Sequence, residues 1–294
     1  MRVAVIVNPA AGSTPSLEHA RRRATLAASV LSQAGVDGEV MLTERPGHAC
    51  ELARAAATRG AAIVAAWGGD GTINEIGCAL AFTDTALAIV RGGSGNGLAY
   101  ALGVPRDPAD ALRRAISAEP RPIDVGEIAG RLFFNIAGIG FDAHVADRFG
   151  REGRKRGLRG YATVVARELF TYRAEPCRLT IDGCEYERRA FLLTIANGPQ
   201  WGNGARVAPH AQLDDGLLDL VTVEPRSPLA AAWQIRRLFT GTFGDVRGVT
   251  TERVSSVQIS VTPPAIFHVD GQPASSDVSP LNVRVHARAL RVRV

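Results

Sequence analysis

The stretch Gly68-Gly69-Asp70-Gly71-Thr72-Ile73-Asn74-Glu75 decides the fold, because it joins an apolar segment to a helical one. Ala61–Trp67, directly before it, has the composition of a buried strand, and a helix is predicted from Asn74. A glycine-rich turn between strand and helix directs backbone N–H groups and a helix N-terminus at one point, which favours an anion such as phosphate. Asp70 repels phosphate unless it holds a metal ion or accepts a proton, so the stretch predicts phosphoryl transfer from a Mg-nucleotide.

Predicted strands and helices alternate over the first 125 residues, which indicates a parallel sheet with helices on both faces. The predicted strands are Arg2–Val7, Gly38–Leu42, Ala61–Trp67 and Ala86–Val90, and the predicted helices begin at Thr14, Gly47, Asn74, Leu98 and Asp107. Ligands of such folds bind beyond the carboxyl ends of the strands. Small polar turns follow three strands, at 8–13, 68–75 and 91–97, so we expect them to form one phosphate site in which Asn8, Thr72 and Ser94 supply hydrogen bonds.

Strands follow strands in the second half of the chain, where Asp-Gly pairs at 182–183, 215–216 and 270–271 predict hairpins. Two helices, Leu158–Tyr172 and Pro228–Phe239, interrupt this pattern. The sequence therefore predicts two domains, an α/β nucleotide-binding domain over residues 1–125 and a mainly antiparallel β-sandwich over residues 126–294.

Composition excludes several classes of protein. No apolar run among the 294 residues approaches the roughly 18 needed to span a membrane, and the first residues read as a strand rather than a signal peptide, so a cytoplasmic location is expected.

The net charge of +5 is carried by arginine, since Lys155 is the only lysine. Residues 1–154 therefore hold neither a P-loop nor the strand lysine of a protein kinase. Backbone, hydroxyls, Mg²⁺ or arginine must hold any nucleotide, although Arg21, Arg22 and Arg23 are predicted to form a solvated helix surface.

An ordered set of motifs resembles the bacterial lipid kinases of the diacylglycerol kinase/sphingosine kinase family over nearly the whole length. The motifs are Asn8-Pro9 with Gly12, Gly69 to Glu75, Gly92-Gly93-Ser94-Gly95-Asn96 with Leu98-Ala99, Gly138 to Ala143, Pro209 with Ala211, Asp215-Gly216 with Leu218-Asp219, and Val269-Asp270-Gly271. The resemblance implies a domain similar to those of NAD kinase and phosphofructokinase, then a β-sandwich, with the active site in the cleft. It implies ATP-dependent phosphorylation of a lipid hydroxyl, diacylglycerol or sphingoid-like, with ATP and Mg²⁺ as cofactors.

The resemblance also assigns roles to residues of this chain. ATP contacts fall on Asn8, Pro9, Gly12, Thr43, Gly69, Asp70, Gly71, Thr72, Ile73, Asn74, Glu75, Ser94, Gly95 and Asn96. The ligands of the family's structural Mg²⁺ correspond to the Asp215 carboxylate and the backbone oxygens of Gln212 and Leu217, and Asp124 is a further candidate metal ligand. The candidate catalytic residues are Asp70, Gln272 and Asp270.

Two departures from the family pattern bear on activity. Related bacterial diacylglycerol kinases carry aspartate where this chain has Gly97, and a glutamate, the general base, where it has Gln272. Because an amide cannot accept a proton, the base is expected to be Asp70, as in the sphingosine and ceramide kinases. Asp124 and Asp142 either complete a Mg-water network or serve as a strand-end carboxylate and a helix cap. The alternatives are an NAD kinase-like enzyme with a soluble substrate and a catalytically inactive lipid- or ATP-binding protein.

A basic cluster suggests how an apolar substrate is reached. It comprises Arg148, Arg151, Arg154, Lys155, Arg156 and Arg159, and a helix with apolar Tyr161, Val164, Val165, Leu169 and Phe170 follows it. This segment is either a peripheral docking site for anionic lipid or a solvated loop before a core helix. No nucleic-acid motif accompanies the charge. The sequence leaves open which lipid is phosphorylated and whether the chain is a monomer or a homodimer.

Overall fold

The computed structural model describes residues 1–12, 16–93, 95–151 and 158–294. Contacts between Cα atoms divide the chain into two compact units, Met1–Ile123 with Arg288–Val294, and Asp124–Ala287. The division differs at the C-terminus from the predicted boundary, because the last seven residues belong to the first unit. There Val292 pairs in parallel with Leu87.

The first unit is built on parallel strands with intervening helices. The strands are β1 (Arg2–Val7), β2 (Asp37–Leu42), β3 (Ile63–Gly68) and β4 (Ala86–Arg91), and the helices are α1 (Leu17–Gln33), α2 (His48–Thr58), α3 (Asp70–Leu80), α4 (Gly97–Ala101) and α5 (Pro108–Ser117). The strand order is β2-β1-β3-β4, with parallel pairing throughout. All six residues of β3 are buried, as expected for a strand covered on both faces of a sheet.

Two helices of this unit, α1 and α3, begin three and four residues from the predicted start, and the other three begin within one residue of it. Helix α3 begins at Asp70, four residues before the predicted Asn74, because Gly69 adopts the extended N-cap conformation and its carbonyl accepts from Ile73 N–H. An acidic residue in the first turn is favoured by the helix dipole, a signal that the glycines around Asp70 obscured. Ser16 caps α1 by accepting from His19 N–H, whereas the predicted start at Thr14-Pro15 lies outside the described residues.

The second unit is a β-sandwich with helices. Its elements are β5 (Arg121–Ile128, which begins in the first unit), β6 (Arg131–Phe133), β7 (Ile136–Gly140), α6 (Phe141–Arg151), α7 (Leu158–Thr171), β8 (Pro176–Ile181), β9 (Cys184–Arg189), β10 (Leu192–Ala196), β11 (Leu218–Val223), α8 (Pro228–Thr240), a 3₁₀ turn (Phe243–Asp245), β12 (Val249–Val254), β13 (Ser256–Ser260), β14 (Ala265–Val269), β15 (Gln272–Ser276) and β16 (Leu281–Val292, which ends in the first unit).

One antiparallel sheet of this unit has the order β12-β11-β10-β7-β14-β15, and the other contains β16-β13-β8-β9. Side chains from both sheets, including Phe133, Ile195, Ile259 and Phe267, form one buried cluster. On the opposite face of the first sheet, Leu192 and Val221 pack with residues of α6, α7 and α8. The mainly antiparallel sandwich is therefore confirmed.

The Asp-Gly pairs differ in what they do. Asp182-Gly183 and Asp270-Gly271 each form a two-residue hairpin with both residues at positive φ, as the sequence predicted. Asp215-Gly216 is not a hairpin, because it lies within the long connection from β10 to β11. Its polar groups bond to other segments instead, and they form part of the second candidate site.

Candidate functional site

The small polar turns of the first unit lie together at the carboxyl ends of its strands. Val7 pairs with both Leu42 and Trp67, and Gly68 pairs with Arg91. Asn8, Thr43, Gly69 and Gly92 each follow one of these strands, so the parallel registers place all four at the same edge of the sheet. Ser94 lies outside the described residues. The edge is where ligands of doubly wound sheets bind.

Close backbone packing explains the glycines of these turns. A Cβ on Gly93 would lie 2.6 Å from the Cα of Gly69, and a Cβ on Gly92 would lie 3.1 Å from the Cα of Gly68. A Cβ on Gly68 would lie 2.5 Å from the Thr72 side chain. The turns after β3 and β4 therefore touch backbone to backbone, so an anion beside them can approach their main-chain N–H groups closely.

Asp70 links two of the turns. Its Oδ2 accepts from Asn96 N–H at 2.8 Å and its Oδ1 from Gly97 N–H at 2.9 Å. Asn96 also folds its own loop, accepting from Gly93 N–H and donating to the Gly93 carbonyl. The carboxylate predicted to act on substrate thus also fixes the glycine loop after β4.

Several predicted ATP contacts bond to protein groups. Asn8 Nδ2 donates to Thr72 Oγ1 at 2.8 Å, which joins the turn after β1 to α3. Glu75 accepts from Gly47 N–H at 3.0 Å and from Ala49 N–H at 3.2 Å. It thereby caps α2, whose N-cap glycine has no side chain to do so. The Ile73 side chain is buried in the core. These residues position the edge of the sheet.

The remaining predicted ATP contacts lie in the turns after β1 and β4 and in helix α3. Pro9 is half-buried beside Asn8, Gly12 has a φ of +103°, and Gly71 is half-buried in the first turn of α3. A Cβ on Gly95 would lie 2.6 Å from Asp70 Oδ2. Asn74 Oδ1 accepts from the Cys78 thiol.

In the second unit, Asp124 and the turn containing Asp215 lie together. The fully buried Asp124 accepts from Gly216 N–H at 2.6 Å and donates its own N–H to the Leu213 carbonyl. Asp215 accepts from Leu217 N–H at 3.0 Å and forms an ion pair with Arg253. The connection from Gln212 to Leu217 is therefore held by two carboxylates and one guanidinium.

The chemistry of this connection suits a hard cation, because a carboxylate and backbone carbonyls are oxygen ligands. Among the described residues, however, no cluster of three or more His, Cys, Asp or Glu side chains is arranged for a metal. Arg253 already supplies positive charge at Asp215. A Mg²⁺ held by Asp215 and the carbonyls of Gln212 and Leu217 would compete with that guanidinium for the carboxylate.

The Asp270-Gly271 hairpin is anchored on two sides. The Asp270 carboxylate accepts from the N–H groups of Phe134, Asn135 and Ile136 at 2.9–3.1 Å. Gly271 N–H donates to His268 Nδ1 at 3.3 Å, so the Nε2 of His268 carries the proton that it shares with Asp142 at 3.2 Å. Gln272, exposed at the start of β15, follows directly on this fixed turn.

Three residues of these sites were not predicted from the sequence, namely Arg253, His268 and Arg23, whose guanidinium donates to the Ala11 carbonyl in the turn after β1. Each acts on a segment distant in sequence, and none belongs to a motif. The one available signal was the missing lysine, which left arginine as the cation for a nucleotide, but three consecutive arginines gave no basis for choosing Arg23.

Two family models match the chain. The diacylglycerol kinase catalytic domain matches residues 2–128, and the YegS C-terminal NAD kinase beta sandwich-like domain matches residues 135–294. A probable lipid kinase YegS-like protein of Pseudomonas aeruginosa is 32% identical over 275 residues, covering 91% of this chain and 89% of that protein. Its counterpart in Chromohalobacter salexigens is 39% identical over 197 residues, covering 65% of this chain and 63% of that protein.

Solved structures agree with these matches. One from Bacillus anthracis strain Sterne superposes with a TM-score of 0.81 at 25% identity, covering 99% of this chain and 94% of that one. A diacylglycerol kinase from the same strain, at 22% identity and a TM-score of 0.74, shows the shared fold. The α/β domain with its glycine turns and the sandwich that follows define a two-domain kinase of the diacylglycerol kinase class. The chain belongs to the family of YegS-like lipid kinases, which confirms the resemblance of its motifs to bacterial lipid kinases of the diacylglycerol kinase family.

Proposed function

We propose that the chain transfers the γ-phosphate of ATP to the hydroxyl of a lipid, diacylglycerol or a sphingoid-like alcohol. Residues 1–125 bind the nucleotide and residues 126–294 bind the lipid. The observation that carries the proposal is the edge of the parallel sheet in the first unit, where Gly92 and Gly93 pack against the backbones of Gly68 and Gly69, directly before Asp70. Phosphoryl transfer consists mostly of positioning and charge neutralisation, which such an edge supplies through main-chain N–H groups.

Asp70 is the proposed centre of the chemistry. The two N–H groups that it accepts from hold its carboxylate at the meeting point of the turns, where it accepts the proton of the attacking hydroxyl. It is also the residue that would hold a Mg²⁺, which when bound neutralises charge on the phosphates. Gln272 orients the hydroxyl by hydrogen bonding. The Asp270 carboxylate fixes the hairpin turn that directly precedes Gln272.

The proposed function is tested by offering labelled ATP with three sets of acceptors, namely diacylglycerol, sphingoid bases and NAD. We expect label in an organic-phase product with one of the lipids and none in NADP. Label in NADP alone would favour the NAD kinase-like alternative. Binding of ATP and lipid without transfer to any acceptor would favour the inactive binding protein.

The proposed metal at Asp215 makes a separate prediction. Because Arg253 competes for the same carboxylate, Arg253→Ala should increase the Mg²⁺-dependent rise in melting temperature, whereas Asp215→Ala should abolish it. Differential scanning calorimetry with and without Mg²⁺, in EDTA-treated protein, measures both. If Mg²⁺ stabilises neither the wild type nor Arg253→Ala, then Asp215 holds no metal and the guanidinium is its permanent counter-ion.

A lipid substrate implies contact with a membrane surface, and we propose that helices of the sandwich make this contact. The predicted apolar face of α7 mostly packs inward, since Val164 is buried and Val165 and Leu169 contact the core. Of the basic cluster, residues 154–156 lie outside the described residues, as do the side chains of Arg151 and Arg159, and the same holds for the Tyr161 side chain in the helix that follows. None of the described helices is long and apolar enough to cross a membrane.

Helix α8 is the better docking surface for an anionic membrane. Trp233 is 69% exposed and Phe239 is 60% exposed. Phe170 on α7 is also 60% exposed, and α7 packs on the same buried cluster as α8. The Arg236 guanidinium lies 4.7 Å from the centre of the Trp233 ring, and α8 contains no acidic residue. Exposed aromatic rings beside arginines on a helix without acidic residues match the headgroup region of an anionic bilayer.

Vesicle sedimentation tests this surface. Trp233→Ala and Phe239→Ala should each weaken binding to anionic phospholipid vesicles about tenfold, since burying an aromatic ring is worth about 1.5 kcal/mol or more. Phe82→Ala removes an aromatic that is 63% exposed on the first unit and should bind as the wild type does. If Phe82→Ala weakens vesicle binding as much as the α8 variants do, α8 is not the docking surface. The same conclusion follows if the wild type binds no vesicles but forms a dimer that the α8 variants disrupt.

A further inference from the structure

Arg23 does not belong to the solvated surface predicted for its helix. Arg21 and Arg22 are exposed, and Arg22 pairs with Glu18 one turn away. Arg23 is half-buried and donates from Nη1 to the Ala11 carbonyl at 3.1 Å. Its side chain therefore turns from the helix surface toward the loop that follows β1.

The guanidinium of Arg23 reaches the edge where the glycine turns meet. A Cβ on Gly12 would lie 3.0 Å from Arg23 Nη2 and 3.4 Å from the Gly92 carbonyl. Gly92 in turn packs against Gly68. The guanidinium therefore lies beside Gly12 in the turn after β1, and Gly12 in turn approaches the backbone of the turn after β4.

The charge of Arg23 has no carboxylate partner although the side chain is half-buried. Arg22 pairs with Glu18 and Arg21 is exposed to solvent, whereas no carboxylate among the described residues pairs with Arg23. Burial also lowers the pKa of its guanidinium from the ordinary value. A partly desolvated cation gains most from an anion that binds beside it.

We propose that Arg23 is a phosphate ligand of the nucleotide, serving in place of the lysine that residues 1–154 lack. The inference rests on the proposed function, because it places the phosphate chain of ATP at the edge where Gly12, Gly68 and Gly92 meet. A guanidinium suits this task, since its planar N–H groups bind two phosphate oxygens at once. The competing explanation is that Arg23 only stabilises the loop through the Ala11 carbonyl.

Equilibrium binding to the full-length protein distinguishes these explanations. Arg23→Ala should weaken ATP binding by about 10- to 100-fold, the usual effect of losing a hydrogen bond to a charged group, while adenosine binds as before. Inorganic tripolyphosphate should displace labelled ATP from the wild type far better than from Arg23→Ala. The affinity of Arg23→Lys for ATP should lie between those of the wild type and Arg23→Ala, because lysine keeps the positive charge but lacks the planar pair of N–H donors. Arg22→Ala, the adjacent control, should match the wild type.

An equal loss of ATP and adenosine binding in Arg23→Ala would show a structural role and overturn the inference. Unchanged ATP binding in Arg23→Ala would also overturn it, and the proposed function would stand. A wild type that binds no ATP would overturn both. Melting temperatures of all three variants establish that each is folded when binding is measured.

Discussion

Asp70→Asn is expected to lower the rate of phosphoryl transfer by about 10²–10⁴, the usual cost of removing a positioned acid–base group. The substitution keeps the shape of the side chain but removes its charge. It also turns one acceptor oxygen into an NH₂ group facing the N–H of Asn96 or Gly97, so some loosening of the loop after β4 should accompany the loss.

Steady-state kinetics and urea unfolding on the same preparations separate the two effects. Asp107→Asn makes the same chemical change at the N-cap of α5, where asparagine caps as well as aspartate, and should leave the rate unchanged. Wild-type activity in Asp70→Asn would refute its catalytic role. A loss of activity no larger than the loss of folded protein would refute it equally.

Gly93→Ala is expected to lower the free energy of unfolding more than Asp70→Asn or Arg23→Ala does. The added Cβ would lie 2.6 Å from the Cα of Gly69, and both partners are backbone, so neither can rotate away. Overpacking of this kind costs about 1–3 kcal/mol, and here it also separates the turns after β3 and β4. The free energy of unfolding should fall by that amount, and affinity for ATP should fall with it.

Gly244→Ala is the matched control for this change. Gly244 lies in the 3₁₀ turn of the second unit, with no heavy atom within 4 Å of an added Cβ. Its substitution should change the unfolding free energy by less than about 0.5 kcal/mol. If Gly93→Ala behaves like Gly244→Ala in both urea unfolding and ATP binding, the two turns do not pack as described.

The strands and the order of the turns could be predicted because each rests on local sequence. The apolar segments at Arg2–Val7 and Ile63–Gly68 are strands, and the parallel alternation alone implies that the turns after them share one edge. The composition of the second half likewise predicted the sandwich, because hairpins such as the one at Asp182-Gly183 depend on two adjacent residues.

What could not be predicted depends on contacts between distant residues. Glu75 caps a helix 26–28 residues earlier in the chain, and Asp70 bonds to a loop 26–27 residues later. Within the sequence both are simply polar residues of a glycine-rich motif. Arg23 resembles its two neighbours until the helix is packed against the sheet, and Arg253 meets Asp215 only when β11 and β12 pair.

Phosphate transfer by the wild type and Gln272→Glu, measured side by side with labelled ATP and total lipid extract, tests the central claim most directly. An amide at this position orients a hydroxyl but takes no proton. If Asp70 is the base, the wild-type protein, which has this amide, should already form a labelled lipid. Gln272→Glu should then change the rate only modestly, or raise it. A wild type that binds ATP and lipid but transfers nothing, while Gln272→Glu alone forms the labelled product, would contradict the account and show a binding protein that has lost its base.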